Sequence, residues 1–500
     1  MAGCTTAPPS PDPAALPGEL VVTDAMRADI EAYAAAAVAR YDIPGAAIAV
    51  VAGGRTVYQH GFGVRGLDDP RPVTPDTLFM VGSITKSMTG LLTATLVDDG
   101  LLDWDARVVD VLPGFALSDP AATPLIRIRD LLSHASGVAG HDPALLVQRF
   151  SPRELVQSLA GIPVLSAPGA AFHYSNQAFA VGGFAAARAA TAADTDLDLA
   201  ATYTGLMNTR VFERIGMRAT TLDFDAAAGS PNHALPHAFD PTVARMARVP
   251  LDFERFAVSV APAGAVWSNA TDMASYAIAE AGGVAPDGTR VVSADGLRQT
   301  QTAQVAIQDG IGYGFGWAVL EPAAYHGHRA VMHTGGTTGF ITHIAVLPDD
   351  QIGVVVLSNH VLGEGFCTSV REYIVEVLLG TGHAGDEPAV TALHATEQSL
   401  VDLQHSTSRP ASDQVAGLVG GYGDRAQVAF DATNGFELVT DFGALPLSAL
   451  PGAPGSFASI GVTVGMAATF SSGAEADQTV TISGVGAEPD VFPLTLPRRP

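Results

Sequence analysis

"VGSITKSMTG", residues 81–90, holds the lone lysine of a 500-residue chain, in which the other 25 basic residues besides histidine are arginines. An alanine-rich sequence with 51 acidic and 26 basic residues reads as the product of biased base composition, which exchanges Lys for Arg wherever the protein tolerates it. Position 86 does not. A β-type run, "FMV", ends there at Gly82-Ser83, and a helical pattern starts at Ser83 and stops at Gly100. A serine at a helix start is first of all an N-cap. That accounts for Ser83 but not for Lys86, three residues later on the same helical face. A desolvated lysine can lose its proton and take one from a hydroxyl, whereas a guanidinium stays protonated. Ser83 and Lys86 therefore read as a nucleophile with its base, although a lone lysine falls three residues after some serine by chance in about one case in twenty.

Two further stretches strengthen the reading. "PGAAFHYSNQAFAVGG" (168–183) sets Tyr174, Ser175 and Asn176 before a helical run. A buried aromatic followed by a Ser/Asn cap explains it structurally. Functionally, a tyrosine hydroxyl beside a lysine can shuttle protons, and an Asn amide can hold a substrate carbonyl. "VMHTGGTTGF" (331–340) gives His333-Thr334-Gly335-Gly336 at the end of a strand pattern. A hairpin turning on its glycines accounts for the glycines but leaves the His-Thr pair unexplained. Glycines at a strand edge also let substrate approach the backbone, so that an N–H can serve as an oxyanion donor.

Composition narrows the classes. A formal net charge of −25 without an arginine cluster opposes nucleic-acid binding. The longest apolar runs, such as "IGVVVLSNHVLG" (352–363), fall short of the roughly 18 residues of a membrane helix. Cys4 and Cys367 are the two cysteines, one in a Pro-rich lead and one in a folded segment, an unpromising disulfide pair. "AGC" ahead of a Thr/Pro/Ser-rich tether resembles the mature end of a bacterial lipoprotein, with Cys4 as the lipid site, and chance in an Ala-rich chain explains it equally. Localisation, cytoplasmic or exported, stays open. No Gly-x-Ser-x-Gly elbow occurs. The pairs His233/His237 and His326/His328 are interrupted by Pro or Gly and lack further ligands, so they read as loop histidines rather than a metal site. No metal and no cofactor is expected.

Along the chain, residues 1–20 read as a flexible lead and 21–384 as the main body. Its opening helix and Gly-Gly hairpin (24–66) precede a mostly helical middle, residues 84 to about 285. Strand patterns return at "YGFGWAVL", "RAVMHTGG", "FITHIAVLP" and "QIGVVVLSN", and the helix "SVREYIVEVLLG" closes the body, so both ends should share one antiparallel sheet. Residues 385–410 read as a linker with one short helix, and 411–500 as a small all-β barrel or sandwich.

With "GSITK", "YSN" and "HTGG" in this order and at wide spacing, the chain resembles the serine β-lactamase-like hydrolases. Their members include class C β-lactamases, D-alanyl-D-alanine carboxypeptidases, D-aminopeptidases and family VIII carboxylesterases. "LLSHASGVAGHD", "PAGAVWSNATDMASY" and "YGFGWAV" extend the resemblance over residues 25–380. It implies an α/β (α+β) β-lactamase/transpeptidase-like fold, with an antiparallel sheet flanked by helices, a helical subdomain, and a cleft between them. The C-terminal part resembles the lipocalin-like extensions of some relatives.

The resemblance also implies roles. Ser83 would be acylated, Lys86 its base, and Tyr174 the proton relay. Ser83 and Gly336 would supply the oxyanion N–H groups. Asn176, Thr334 and Gly335 would contact substrate beside His333. His333 stands where class C β-lactamases carry Lys, and a neutral His suits the carboxylate of a β-lactam or D-peptide poorly. The expectation is thus a metal-independent esterase or lactonase working through an acyl-enzyme on a small-molecule ester, lactone or amide. Alternatives are a D-amino-acid peptidase or β-lactamase, and, from another class, a non-catalytic penicillin-recognising or assembly protein. A homo-oligomer is compatible with all of these.

Overall fold

The computed structural model describes residues 20–191, 198–383, 385–431, 433–460, 466–471, 477–484 and 491–499. Cys4 and the lead through residue 19 lie outside the described residues.

Nine antiparallel strands form the central sheet. Three come from the start of the chain: β1 (Gly45–Ala52), β2 (Arg55–Gly66) and β3 (Asp69–Pro72). Six come from much later: β4 (Val305–Gln308), β5 (Ile311–Tyr313), β6 (Ala318–Leu320), β7 (Ala330–Gly336), β8 (Ile341–Leu347) and β9 (Ile352–Ser358). Their spatial order is β3-β2-β1-β9-β8-β7-β6-β5-β4, so the two ends of the body meet where β1 pairs with β9, Ile48 opposite Val356. β1 is buried along its whole length. Its period-two alternation sends Ala47, Ala49 and Val51 into one core and Ala46, Ile48 and Val50 into the other.

Helices cover both faces. α1 (Asp24–Arg40) packs on one, burying Ile30, Ala34 and Ala37 at helical spacing. The helical middle, which includes α2 (Thr85–Asp98), α3 (Asn176–Ala189) and α4 (Ala270–Gly282), packs on the other. α5 (Glu364–Leu379) joins α1 on the first face. α2 is buried from Thr85 through Leu96, as a helix threaded through a core must be. Its threonines bond back into the helix, Thr89 to the Thr85 carbonyl at 3.1 Å and Thr93 to that of Thr89 at 2.8 Å.

Several local expectations change. The helix does not begin at Ser83: a 3₁₀ turn, Gly82–Ile84, precedes α2, and neither start is capped by a side chain. Gly335 and Gly336 belong to β7 rather than to a turn. The supposed linker carries a 20-residue helix, α6 (Glu387–Ser406). Proline at its first turn is tolerated, and Val390 and Leu393 bury against the α5 side. The helical middle also contains a short hairpin, His237–Asp240 with Arg245–Arg248. His237 is therefore a strand residue, fully buried and receiving the Leu67 N–H, and not a loop histidine.

After α6, the described residues form two antiparallel sheets, four strands between Gly420 and Pro446 and five between Ser448 and Pro497. Val428, Phe436, Leu438, Phe457, Phe470, Val480 and Ile482 pack between them. This core is shared with the body, because Val147, Val249 and Phe253 enter it. Val491 bridges Gly140, Phe492 N–H donates to the Gly140 carbonyl at 2.9 Å, and the His141 ring lies 3.1 Å from the Phe492 carbonyl. Among the described residues no helix is long and apolar enough to cross a membrane.

Candidate active site

Ser83 sits on the 3₁₀ turn because its neighbours hold that turn on both sides. Val81 N–H donates to Val266 O at 2.9 Å, and Thr342 Oγ1 on β8 donates to Val81 O at 2.9 Å. Gly82 takes φ +53°, a left-handed conformation that glycine adopts without strain. A side chain there would meet Gly336 N at 3.0 Å, which places the Gly336 amide beside the serine turn. Gly335 is required for a different reason: a Cβ on it would collide with the Val81 carbonyl. Gly335 on β7 and Gly82 on the turn thus let the strand lie close against the segment that carries Ser83.

Two side chains reach the serine hydroxyl, and a third holds one of them. Lys86 Nζ lies 2.9 Å from Ser83 Oγ, and the Tyr174 hydroxyl donates to the same oxygen at 2.9 Å. Tyr174 is delivered by the segment before α3, whose N-cap is Ser175, its hydroxyl accepting from Ala178 N. Asn176, the first residue of α3, accepts from Lys86 Nζ at 2.6 Å through Oδ1 and donates to the Asp142 carboxylate at 3.0 and 3.2 Å. The Ala263 carbonyl also accepts from Lys86 Nζ, at 2.8 Å.

Lys86 is fully buried. Burial pushes its pKa from 10.5 down to about 7, with the Asp142 charge pulling the other way. Nζ also lies 4.8 Å from the Tyr174 ring centre and 5.6 Å from that of Phe179. A neutral amine has two N–H groups and one lone pair. Asn176 Oδ1 and Ala263 O can only accept, so they take the two hydrogens and leave the lone pair facing Ser83 Oγ. Burial raises the Tyr174 pKa above its usual range, the bond to Ser83 opposing it, so the phenol keeps its proton.

On the other wall, alternation along β7 buries His333 and Gly335 and leaves Thr334 and Gly336 open. His333 Nδ1 lies 2.6 Å from the Thr334 carbonyl and Nε2 2.8 Å from the Tyr313 hydroxyl. A carbonyl only accepts, so Nδ1 carries the proton and Nε2 receives the tyrosine O–H. Burial, with the Lys86 charge second, pushes the His333 pKa down to about 3. His333 is a neutral, fully hydrogen-bonded ring.

Ser83, Lys86, Tyr174 and Asn176 thus converge directly, and His333, Thr334, Gly335 and Gly336 form the adjoining strand. Asp142, Ala263, Tyr313 and His134 are new. Each lies in or beside a stretch that carries the resemblance, yet only the folded contacts give it a task.

The Beta-lactamase family model matches residues 30–379. Penicillin-binding protein 4 of Amycolatopsis lactamdurans is 28% identical over 68% of this chain and 87% of its own length. Esterase EstB of Burkholderia gladioli is 30% identical over 62% of this chain and 84% of its own. The octameric penicillin-binding protein homologue of Pyrococcus abyssi superposes with a TM-score of 0.62 at 20% identity, covering 95% of this chain and all of that one. With the fold and the three motifs in place, the chain belongs to the Beta-lactamase family of serine hydrolases.

Proposed function

We propose that the protein is an esterase or lactonase that works through an acyl-enzyme on Ser83. The carrying observation is His333, a neutral ring whose two nitrogens are already occupied by the Thr334 carbonyl and the Tyr313 hydroxyl. Such a ring offers no charge-assisted bond to a substrate carboxylate, so the site favours acyl groups without one. The net charge of −25 acts in the same direction.

In the proposed sequence, neutral Lys86 takes the Ser83 proton as Oγ attacks the acyl carbon. The Ser83 and Gly336 amides receive the developing oxyanion. Tyr174 delivers a proton to the leaving oxygen and then helps water attack the acyl-enzyme. Thr334 and Gly335 border the bound acyl group. Asn176 is assigned a substrate contact along with the task of holding Lys86.

A second reading, a D-amino-acid peptidase or β-lactamase, is favoured by the resemblance to penicillin-binding protein 4. Hydrolysis of a chromogenic short-chain ester and a chromogenic cephalosporin, by wild type and Ser83→Ala, separates the two. Expected is Ser83-dependent ester turnover with kcat/KM exceeding that for the cephalosporin by at least about tenfold. Faster cephalosporin turnover would replace the esterase reading with the second one, and ester turnover that survives Ser83→Ala would end both.

A further inference from the structure

His134 is fully buried next to this machinery without touching Ser83. Its φ is +58°, the left-handed turn that ends the helix Ile128–Leu132, where the Ala135 N–H reaches back to the Asp130 carbonyl at 2.9 Å. From that turn its contacts bracket one residue. The His134 carbonyl accepts the His173 N–H at 2.8 Å, and its Nδ1 accepts the Ser175 N–H at 3.2 Å. Main chain on both sides of Tyr174 is therefore tied to His134. The two rings also pack, their centres 4.2 Å apart.

The far side of the imidazole meets Tyr313 at 4.9 Å, and the Tyr313 hydroxyl bonds His333. Phe179 and Phe172 complete the surround at 5.3 and 5.7 Å. Because Nδ1 accepts, the neutral ring carries its proton on Nε2, which has no hydrogen-bond partner among the described residues. The polar capacity that the ring uses is the bond to Ser175. Burial keeps the ring neutral, with Lys86 and His333 acting in the same direction.

We infer that His134 is the positioning residue of Tyr174. By gripping the chain at 173 and 175 and packing on the ring, it fixes the phenol oxygen against Ser83 Oγ. It also spaces the Tyr174 wall from the His333 wall through Tyr313. Misplacing a proton-transfer group by even an ångström costs turnover far more than binding. The inference rests on the assignment of Tyr174 under Proposed function.

The test is a double-mutant cycle read as kcat and KM on the chromogenic ester, using full-length protein with its melting curve recorded. His134→Leu should lower kcat by about 30- to 100-fold with KM within about twofold. His134→Asn, which tolerates positive φ and presents Oδ1 where Nδ1 was, should return kcat to within about fivefold of wild type. In a Tyr174→Phe background, with no hydroxyl to place, His134→Leu should change kcat less than about twofold. Should His134→Leu fail to fold, His134→Gly, which accepts the φ without strain, takes its place in the cycle.

Equal losses in both backgrounds, a loss confined to KM, or an Asn variant no better than Leu would overturn the inference and leave the Tyr174 assignment standing. A Tyr174→Phe enzyme as active as wild type would overturn the assignment itself, and the role of His134 with it.

Discussion

Lys86 and Glu254 are both completely buried, and burial brings both pKa values to about 7, one from above and one from below. Their surroundings differ. Lys86 has three partners within 2.9 Å, and one is the serine hydroxyl. Glu254 accepts from Thr338 Oγ1 at 2.7 Å through one carboxylate oxygen, and its other oxygen has no hydrogen-bond partner among the described residues. Thr338 follows Gly336 by two residues, so Glu254 holds the turn that ends the His-Thr-Gly-Gly strand. Burial is the largest cause at both, opposed by the Asp142 charge at Lys86 and by the threonine hydrogen bonds at Glu254, and geometry decides that one group can do chemistry while the other supports a wall.

The comparison breaks most visibly at Lys86. Lys86→Arg keeps a positive charge but removes the deprotonatable base, and ester turnover should fall by about a thousandfold or more with the fold retained. Wild-type-like turnover in that variant would leave the solitary lysine unexplained.

Glu254→Gln should act on stability. The folded pKa is raised from 4.5 to about 7, so the folded state holds its proton more tightly than the unfolded chain. That favourable difference is present below about 4.5 and is lost as pH rises through 7. The glutamine variant should therefore match wild type near pH 4.5 and exceed it at pH 8, by up to about 3 kcal/mol. Denaturant melts at the two pH values measure this. A gain of equal size at both would mean that the carboxyl is not the cause. Its kcat/KM at pH 8 should stay within about threefold of wild type, which sets it apart from Lys86.

How much of this was legible in the sequence depended on what each residue answers to. The sheet could be read because β1 and β9 are short apolar runs bounded by turns, and their pairing closes the body. The nearness of Ser83 and Lys86 could be read because residues three apart share a face on helical turns, and it survives although the first of those turns is 3₁₀. α6 was underestimated because only Val390 and Leu393 of its 20 residues are buried, which leaves little apolar signal in a polar segment. Asp142, Ala263 and His134 could not be assigned tasks from sequence. Ala263 acts through its carbonyl, which any residue has, and the others act across 34 and 41 positions on Asn176 and Ser175. The body core that Phe253 and Val147 share with the C-terminal sheets was equally hidden, since ordinary apolar residues do not say which surface they cover.

The central claim is that Lys86 works as a neutral base whose pKa is set by burial against the opposing charge of Asp142. The pH dependence of kcat/KM for the chromogenic ester, in wild type and in Asp142→Asn, tests it most directly. Wild type should show an acid limb with its midpoint near 7, because activity appears as Lys86 loses its proton. Asp142→Asn keeps an acceptor for Asn176 but removes the charge that raises the Lys86 pKa, so its limb should move to lower pH. A profile flat from pH 5 to 9, or a limb that moves upward in Asp142→Asn, would contradict the claim.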